Sequence, residues 1–501
     1  MPIDTVDIFA GPGGLGEGFS AVRDGEGNRV FNIVNSVEEK DFECQTLRLR
    51  AFARRLIDQG YSNRYMEYLA TPIEEALEQL RQEFSELWDD AEQEVIKESI
   101  NQITQVKIVR HIQTRINPER PLLLIGGPPC QAYSLAGRAR NSKRIKENDD
   151  NWKNDKRRTL YKRYLYFIRK LEPDAFVMEN VKGMLSATLE DELIFNNVSK
   201  DLKSIGRGYT LYSLVTNKNP NDLTASDFII ESENFGVPQR RHRVIILGVR
   251  KSIAKSPGVL VPTWHSVTVE ESISDLPRLR SSFSLREKDC SKDAATWQAY
   301  VSSILSSSCG ISEADSSSDL PDCIGGEWVL CRGNTGHLKE WYRPLEMDGV
   351  PNHETRSHIA KDIERYIFCA TKAGETGYSP KINDFPIDLL PEHKNISSIK
   401  EGKEDSHSVD IAFSDRFRVQ LREEPSTTIT SHISKDGHYY IHYDPKQARS
   451  LTVREAARLQ TFPDDYRFEG SRTSQYHQVG NAVPPYLAYQ IAKIVAELLV
   501  F

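Results

Sequence analysis

The sequence predicts an α/β protein with a Rossmann-like, doubly wound domain and a second, irregular domain. Short apolar runs at 6–10, 122–126 and 175–180 are typical of buried parallel strands. A glycine-rich turn, GPGGLG, follows the first run, and stretches with helical periodicity separate the later ones. Both kinds of periodicity weaken after residue 250, where serine, proline and aspartate become frequent.

Composition narrows the class of protein. The chain has 501 residues, a formal net charge of −7, and apolar and charged fractions that are ordinary for a soluble globular protein. The sequence has no apolar run long enough for a membrane span and enters its first strand without a signal peptide, so we expect a cytoplasmic protein. Its seven cysteines include no CxxC pair, so neither a metal site nor a disulfide framework is predicted.

The first predicted elements form a βαβ opening. A strand at 6–10 leads into GPGGLGEGF, and a second strand at 30–37 ends at Glu38. Residues 11–16 match G-x-G-x-x-G, in which glycines let the backbone approach a ligand and a later acid accepts ribose hydroxyls. The pattern alone fits a nicotinamide or flavin dinucleotide as well as another adenosine cofactor.

Residues 71–117 are predicted to form an inserted helical pair. Thr71 and Glu74 form a capping box around Pro72, and apolar residues then recur at helical spacing. We interpret this insertion as a packing element without chemistry.

The stretch LLLIGGPPCQAYS, at 122–134, places Cys130 on the loop beyond a buried strand. In open α/β sheets ligands bind at that edge. A thiol there is well placed to act as a nucleophile, and a helix N-terminus or nearby arginine would favour its thiolate form. The alternative is a buried structural cysteine.

A basic segment follows Cys130. Between Arg138 and Lys170 there are thirteen basic and four acidic residues, so this segment is strongly positive although the whole chain is negative. Local patches, not the net charge, decide nucleic-acid binding. The connection 131–157 is too long for an ordinary loop, and long loops are commonly lids.

The remaining predicted elements of this domain are a helix from about 158 and strands at 175–180, 210–215 and 244–249. The strand at 175–180 carries Glu179 near its end. Between the last two strands lies FGVPQRRHR, in which alternating residues point the same way.

The ordered series DIFAGPGG, GGPPCQAYS, MENVKG, FGVPQRRHR, RSLTVREAARLQTFPDDY and QVGNAVPP resembles that of DNA cytosine-5 methyltransferases of the prokaryotic restriction-modification type. The resemblance covers residues 1–250 and about 415–501. It implies S-adenosyl-L-methionine as methyl donor and duplex DNA as substrate. Reaching C5 and C6 of a cytosine inside a duplex requires base flipping. The resemblance also implies a catalytic domain at 1–250, a target-recognition domain at 251–425 and a C-terminal segment, 426–501, that returns to the catalytic domain.

Methyl transfer to cytosine C5 requires a nucleophile and a proton donor, and the motifs contain residues of both types. Cytosine C5 is a weak nucleophile, and thiolate addition to C6 makes it enamine-like, which suits Cys130. Glu179 can donate a proton or hydrogen bond at N3 if burial keeps it protonated. The resemblance adds Arg241 and Arg243 as further catalytic residues that hold the target's phosphate and base O2.

Two sets of binding residues are predicted, from the resemblance and from the basic segment after Cys130. The cofactor-binding candidates are Phe9, Gly11, Gly13, Gly14, Glu38, Pro129, Asn481 and Val483. The DNA-binding candidates are Gln131, Ser134, Lys156, Arg157, Arg158 and Gln239. An acid expected after the third strand, near 68–71, has no clear match.

Three alternatives remain open from the sequence. A dinucleotide-dependent oxidoreductase would leave Cys130, Glu179 and the QRRHR segment without roles, and a silent DNA-binding module would not need Cys130 and Glu179. An RNA cytosine-5 methyltransferase would share the fold. We expect a monomer associated with the nucleoid, with a cognate restriction endonuclease or phage-defence proteins as candidate partners.

Overall fold

The structure, a computed structural model, describes residues 1–129, 160–186, 188–189, 192–284, 293–309, 317–333, 338–391 and 414–500. The chain divides into two compact units. The first comprises Met1–Tyr61, Arg81–His265 and Asn481–Phe501, and the second comprises Ser62–Leu80 and Ser266–Gly480. Among the described helices, none is long and apolar enough to cross a membrane.

Strands and helices alternate through the first part of the chain. The strands, in chain order, are β1 (Ile3–Ile8), β2 (Phe31–Glu38), β3 (Val95–Lys97), β4 (Leu122–Gly126), β5 (Ala175–Val181), β6 (Thr188–Leu189), β7 (Glu192–Leu193), β8 (Tyr209–Tyr212), β9 (Ile229–Glu231), β10 (Gln239–Arg240), β11 (His242–Arg250), β12 (Ser282–Phe283), β13 (Gly325–Leu330), β14 (Gly349–Glu354), β15 (Ser357–His358) and β16 (Ser426–Thr427). The helices are α1 (Gly14–Ser20), α2 (Asp41–Asp58), α3 (Ser62–Ala70), α4 (Glu74–Glu83), α5 (Ser85–Glu94), α6 (Thr104–Arg115), α7 (Leu160–Leu171), α8 (Ile194–Ser204), α9 (Val269–Ile273), α10 (Ala294–Cys309), α11 (Lys339–Tyr342), α12 (Ala360–Thr376), α13 (Val453–Leu459), α14 (Arg472–Asn481) and α15 (Pro485–Leu499).

The first unit is built on an eight-stranded sheet with the order β3-β2-β1-β4-β5-β11-β8, in which β9 also pairs with β11. Strands β1 to β5 run parallel to one another, whereas β11 is antiparallel to both β5 and β8. The strand order reverses between β1 and β4. Ligands bind outside the carboxyl ends of the strands at such a switch point.

Both faces of this sheet are buried. Leu122 and Leu124 of β4 pack into one apolar cluster with residues of α6, α7 and α8. Leu123 and Ile125 pack into a second cluster with residues of α1 and α15. A strand covered on both faces has no polar side, which explains the continuous apolar run in the sequence. The predicted doubly wound α/β fold is confirmed.

The region predicted as a pair of helices, 71–117, contains a strand as well as helices. Between α5 and α6 lies β3, which pairs in parallel with β2 and forms one edge of the main sheet. The C-terminal residue of α5, Glu94, accepts hydrogen bonds from Arg54 and Arg55 of α2. Buried charge pairs, in addition to an apolar stripe, therefore hold this region to the sheet.

The second unit contains two long helices, α10 and α12, in a stretch without clear periodicity. Trp297 and Val301 of α10 pack with Ile363 and Ile367 of α12. Charged residues of RSLTVREAARLQTFPDDY are also buried here. Around α13, for example, the Arg449 Nη2 to Glu455 Oε1 distance is 2.6 Å. Full pairing is what permits such charges in a protein interior.

Candidate active site

Several predicted site residues lie at the end of the main sheet where the parallel strands have their carboxyl ends. Strands β1, β2, β4 and β5 end there. Because β11 is antiparallel to β5, its first residues lie beside the last residues of β5, and Arg243 is the cross-strand partner of Val181. The sheet topology therefore brings four sequence motifs together.

An ion pair joins two of the predicted catalytic residues. The Nε atom of Arg243 lies 2.9 Å from Oε1 of Glu179, and the two side chains are 15% and 14% exposed. Burial lowers the pKa of Arg243, and its attraction to Glu179 opposes that shift. The sequence assigned these side chains to separate contacts with the substrate, so their direct pairing is a new finding.

The loop that leads to Cys130 is held against Glu179. A Cβ atom at Gly127 would lie 2.7 Å from Oε2 of Glu179, so a larger residue would displace the carboxylate. The side chain of Asn180 donates a hydrogen bond of 3.3 Å to the carbonyl oxygen of Pro128. Sequence reasoning missed this role of Asn180, although the residue lies within the MENVKG motif.

A buried serine organises the segment before β11. The backbone N–H of Arg241 donates to Oγ of Ser232 at 3.1 Å, and this hydroxyl donates to the carbonyl oxygen of Gln239 at 2.8 Å. Arg241 and Gln239 are both buried. Ser232 was not predicted because an isolated serine in a polar stretch carries no sequence signal.

His242 lies between two carboxylates. Its Nε2 atom is 2.8 Å from Oε1 of Glu233, and its Nδ1 atom is 3.8 Å from Oε1 of Glu231. Glu231 is the cross-strand partner of His242. These contacts fix the start of β11 and thereby the backbone of Arg243.

The turn after β1 has an unusual backbone. Phe9, Gly11 and Gly13 have φ angles of 57°, 57° and 88°, in the left-handed region that favours glycine. The backbone N–H of Gly11 donates to Oε2 of Glu38 at 2.9 Å. Burial raises the pKa of Glu38, and the backbone N–H groups of Lys40 and Gly11 oppose that shift. The acid at the end of β2 is therefore hydrogen-bonded directly to the glycine turn.

The C-terminal segment returns to the same turn. A Cβ atom at Gly14 would lie 2.2 Å from the carbonyl oxygen of Val483, and one at Gly18 would lie 2.3 Å from that of Pro485. Two glycines on α1 thus allow backbone contact with the start of α15. Asn481, two residues before Val483, is exposed.

The acid after the third strand lies elsewhere than expected. Residues 68–70 belong to α3, whereas the third strand of the sheet is β3, followed directly by Glu98. The backbone N–H of Glu98 donates to the carbonyl oxygen of Glu38 at 2.9 Å. Helices α2 to α5 separate β2 from β3 in sequence, which is why the strand was missed.

The glycine turn and the acid after β2 fit an adenosine cofactor. Each oxygen of Glu38 accepts one backbone hydrogen bond and keeps a lone pair for a ribose hydroxyl. This geometry suits either a dinucleotide or another adenosine compound.

The profile of the C-5 cytosine-specific DNA methylase family matches residues 75–497. This chain belongs to that family. It is 32% identical to the type II methyltransferase M.Bpa9945I of Bacillus paralicheniformis, over 99% of each chain. It is 25% identical to the DNA (cytosine-5-)-methyltransferase M.ApeKI of Aeropyrum pernix, over 75% of this chain and 81% of that protein.

A solved structure supports the fold of this methyltransferase. An E. coli prophage protein assigned as a DNA modification methyltransferase aligns with a TM-score of 0.55, over 99% of each chain. At 19% identity this similarity concerns the fold alone. The predicted enzyme class, a DNA cytosine-5 methyltransferase, is confirmed by the family, and the oxidoreductase alternative is excluded.

The structure places only part of the predicted site. It brings Glu179 together with Arg243, and Gly14 together with Val483. Pro129, partly buried, is the last described residue before the predicted nucleophile. Cys130 and the DNA-binding candidates Gln131, Ser134, Lys156, Arg157 and Arg158 lie outside the described residues, so their predicted roles stay predictions.

Proposed function

We propose that this methyltransferase modifies C5 of a flipped-out cytosine at specific sites in duplex DNA, through a covalent bond between Cys130 and C6. The observation that carries the proposal is the Glu179–Arg243 ion pair, which lies against Gly127 at the start of the loop leading to Cys130. A carboxylate and a guanidinium at that place can bind the polar edge of a pyrimidine.

The proposed reaction begins at Cys130. Its thiolate forms the Sγ–C6 bond, and the electron pair of the C5–C6 double bond moves into the ring toward N3. In its protonated form Glu179 stabilises the charge that develops at N3 by donating a proton or hydrogen bond, and it regains that proton from N3 after methylation; Arg243 holds the carboxyl group in place. After methylation, loss of the C5 proton to solvent lets the Sγ–C6 bond break and restores the thiolate.

The cofactor proposed for this site is S-adenosyl-L-methionine. When bound, it supplies a methyl group made electrophilic by a positively charged sulfur. The backbone of the glycine turn, with Phe9, Gly11, Gly13 and Gly14, would hold it, and Glu38 would accept its ribose hydroxyls. Glu98 replaces the missing acid as the candidate for the adenine side. Pro129, Asn481 and Val483 would complete the pocket.

DNA binding is proposed for three regions. The basic segment 131–157, with Gln131 and Ser134, would close over the DNA, and Lys156, Arg157 and Arg158 would bind phosphates. Gln239 would act with Arg241 at the target nucleotide. Residues 251–425 would read the sequence. Chemistry at C5 and C6 requires the cytosine to leave the base stack, because both atoms are inaccessible in a duplex.

A restriction-modification role is proposed from the names of the relatives, which include a type II methyltransferase. In that role the enzyme acts in the cytoplasm at the nucleoid as a monomer and protects sites that a cognate endonuclease cleaves.

The proposal is tested with Cys130→Ala, which should abolish methyl transfer while leaving S-adenosyl-L-methionine binding nearly intact. The matched control is Cys323→Ala, because Cys323 is an exposed free cysteine in the second unit. Bisulfite sequencing of DNA from a host that expresses each variant reports activity and target site together. Near-normal methylation by Cys130→Ala would contradict the proposed nucleophile.

A further inference from the structure

Asp7 is a buried acid without a hydrogen-bond partner in the described part of the chain. It lies in β1, two residues before Phe9, and is 1% exposed. Neither carboxyl oxygen of Asp7 accepts a hydrogen bond from the described residues. Burying an unpaired carboxylate costs several kcal/mol, so such a group takes up a proton unless something compensates its charge.

A second acid on the same strand shows the contrast. Asp4 is equally buried, but its oxygens accept hydrogen bonds from Nδ2 of Asn32 and from the backbone N–H of Asn117. It also pairs with Arg120 at 3.3 Å. Asp4 therefore has hydrogen-bond and ion-pair partners, whereas Asp7 has no hydrogen-bond partner among the described residues.

Among the described residues, the charges that act on Asp7 include no free cation. Glu38 from β2 and Glu94 from α5 raise the pKa of Asp7, and Arg54 from α2 lowers it. Arg54 forms its own ion pair with Glu94 at 2.5 Å. From α7, the titratable group that interacts with Asp7 is the buried phenol of Tyr164.

Burial is the main cause of the shift and raises the pKa of Asp7 to about 8. The backbone N–H of Gly16 opposes this shift but does not reach hydrogen-bond geometry. At neutral pH most of the Asp7 population is therefore the neutral acid.

Asp7 also lies beside the first turn of α1, which directly follows the glycine turn. A Cβ atom at Gly16 would be 3.3 Å from Oδ2 of Asp7. The glycine turn itself is held by Glu38 through the N–H of Gly11. A positive charge brought to this turn acts on Asp7 through the protein interior, where electrostatic interactions are much stronger than in water.

We propose that Asp7 is a specificity-determining residue that favours a positively charged sulfonium cofactor over its neutral thioether product. Before the cofactor binds, Asp7 is a neutral carboxylic acid; when the sulfonium fills the turn, Asp7 releases its proton to solvent and the carboxylate remains as the counter-charge. Loss of the methyl group removes the positive charge, so Asp7 takes up a proton and product release is favoured. This inference rests on the proposed cofactor.

The direction of the pH effect follows. Because binding of S-adenosyl-L-methionine releases a proton, its affinity relative to S-adenosylhomocysteine should rise with pH up to about 8 and then level off. The expected rise is up to about tenfold per pH unit below that pKa. Titration of the ligand amino group is common to both compounds and largely cancels in the ratio.

The test is isothermal titration calorimetry of the full chain at pH 7 in two buffers with different ionisation enthalpies, which gives the protons released per bound molecule. With S-adenosyl-L-methionine we expect about half a proton or more, because most of Asp7 is protonated at that pH. With S-adenosylhomocysteine we expect little release. Asp7→Asn should abolish the difference, whereas Asp4→Asn should keep it.

Equal proton release with the two ligands, or the same release in Asp7→Asn as in the unaltered protein, would overturn the inference. If Asp7→Asn does not fold, infrared difference spectra of the unaltered protein decide. A protonated carboxyl band should disappear with S-adenosyl-L-methionine and remain with S-adenosylhomocysteine, and a band unchanged by both would overturn it. Binding without proton exchange contradicts this inference alone, whereas absence of binding contradicts the proposed cofactor and this inference with it.

Discussion

The guanidinium group of Arg243 contacts the carboxylate of Glu179, with 2.9 Å between Nε and Oε1. The two residues come from motifs separated by five short strands in the chain, and the antiparallel pairing of β11 with β5 brings them together. The proposed catalytic carboxylate is therefore positioned by a residue that the sequence alone assigned to the substrate.

Arg243→Leu should lower kcat by about 10²–10³-fold, because the substitution removes a preorganised cation and leaves Glu179 without its partner. Single-turnover methylation assays measure the effect. The matched control is Arg250→Leu, which removes an arginine at the other end of β11 that pairs with Asp174 at 3.1 Å. Arg250→Leu should keep its kcat, and an equal loss in both variants would indicate general damage to the sheet.

Gly14→Ala should destabilise the protein by about 1–3 kcal/mol, as overpacking of a tight contact does. Its new methyl group would lie 2.2 Å from the carbonyl oxygen of Val483, so the glycine turn or the C-terminal segment must move. The melting temperature and the affinity for the cofactor should both fall. Gly25→Ala is the control, since a Cβ atom there meets no atom within 4 Å. An unchanged Gly14→Ala protein would refute this close contact.

Stability should fall on acidification because the second unit contains buried neutral histidines. Burial lowers the pKa of His353 and His442 to about 4 and that of His358 to about 3. In the unfolded chain these histidines take up protons near pH 6.5, whereas in the folded protein they stay neutral down to about pH 4. Their contribution to the free energy of unfolding is therefore fully present above pH 6.5 and is lost as the pH falls toward 4. Each histidine should contribute a slope of up to about 1.4 kcal/mol per pH unit.

Denaturant unfolding between pH 7 and 4.5 measures this slope. His358→Phe should lower this pH slope by the equivalent of about one bound proton, because phenylalanine does not titrate. The fold should tolerate the substitution, since the new ring can keep the edge-to-face contact with Tyr366 and Nε2 of His358 has no hydrogen-bond partner among the described residues. His432→Gln, at an exposed histidine of the same unit, is the control. A slope that His358→Phe leaves unchanged would show that other groups cause the acid sensitivity.

Exchange of residues 251–425 for those of a relative with a different target should transfer the methylation site. The change in composition after residue 250 motivates this boundary. Bisulfite sequencing of host DNA reads the result. The compact second unit also includes residues 62–80 and extends to Gly480, so a chimera that exchanges Ser62–Leu80 and Ser266–Gly480 is the comparison. If an active first chimera keeps the old site, the predicted recognition segment is wrong.

The sequence predicted the parallel strands well, because burial on both faces leaves continuous apolar runs such as LLLIG in β4. It also predicted where Glu38 and Glu179 lie, because each ends a strand that is recognisable from its own residues. The glycine turn was recognisable for the same local reason, since left-handed backbone angles favour glycine at Gly11 and Gly13.

Relationships between distant segments were not predictable. β3 is only three residues long and follows helices that resemble an insertion, so Glu98 was missed. In α10, serines interrupt the apolar spacing, and the helix is recognisable only when it packs against α12. The roles of Ser232 and Asn180 depend on hydrogen bonds to backbone atoms, which no residue pattern encodes.

The central claim is covalent attack by Cys130 on C6, and a duplex with 5-fluorocytosine at the target tests it most directly. Methylation can proceed, but fluorine cannot leave C5 as a cation, so the enzyme cannot eliminate. We predict an adduct that withstands denaturing electrophoresis, requires S-adenosyl-L-methionine, maps to the Cys130 peptide and is absent in Cys130→Ala. No adduct from an enzyme that is active on normal DNA would contradict C6 addition.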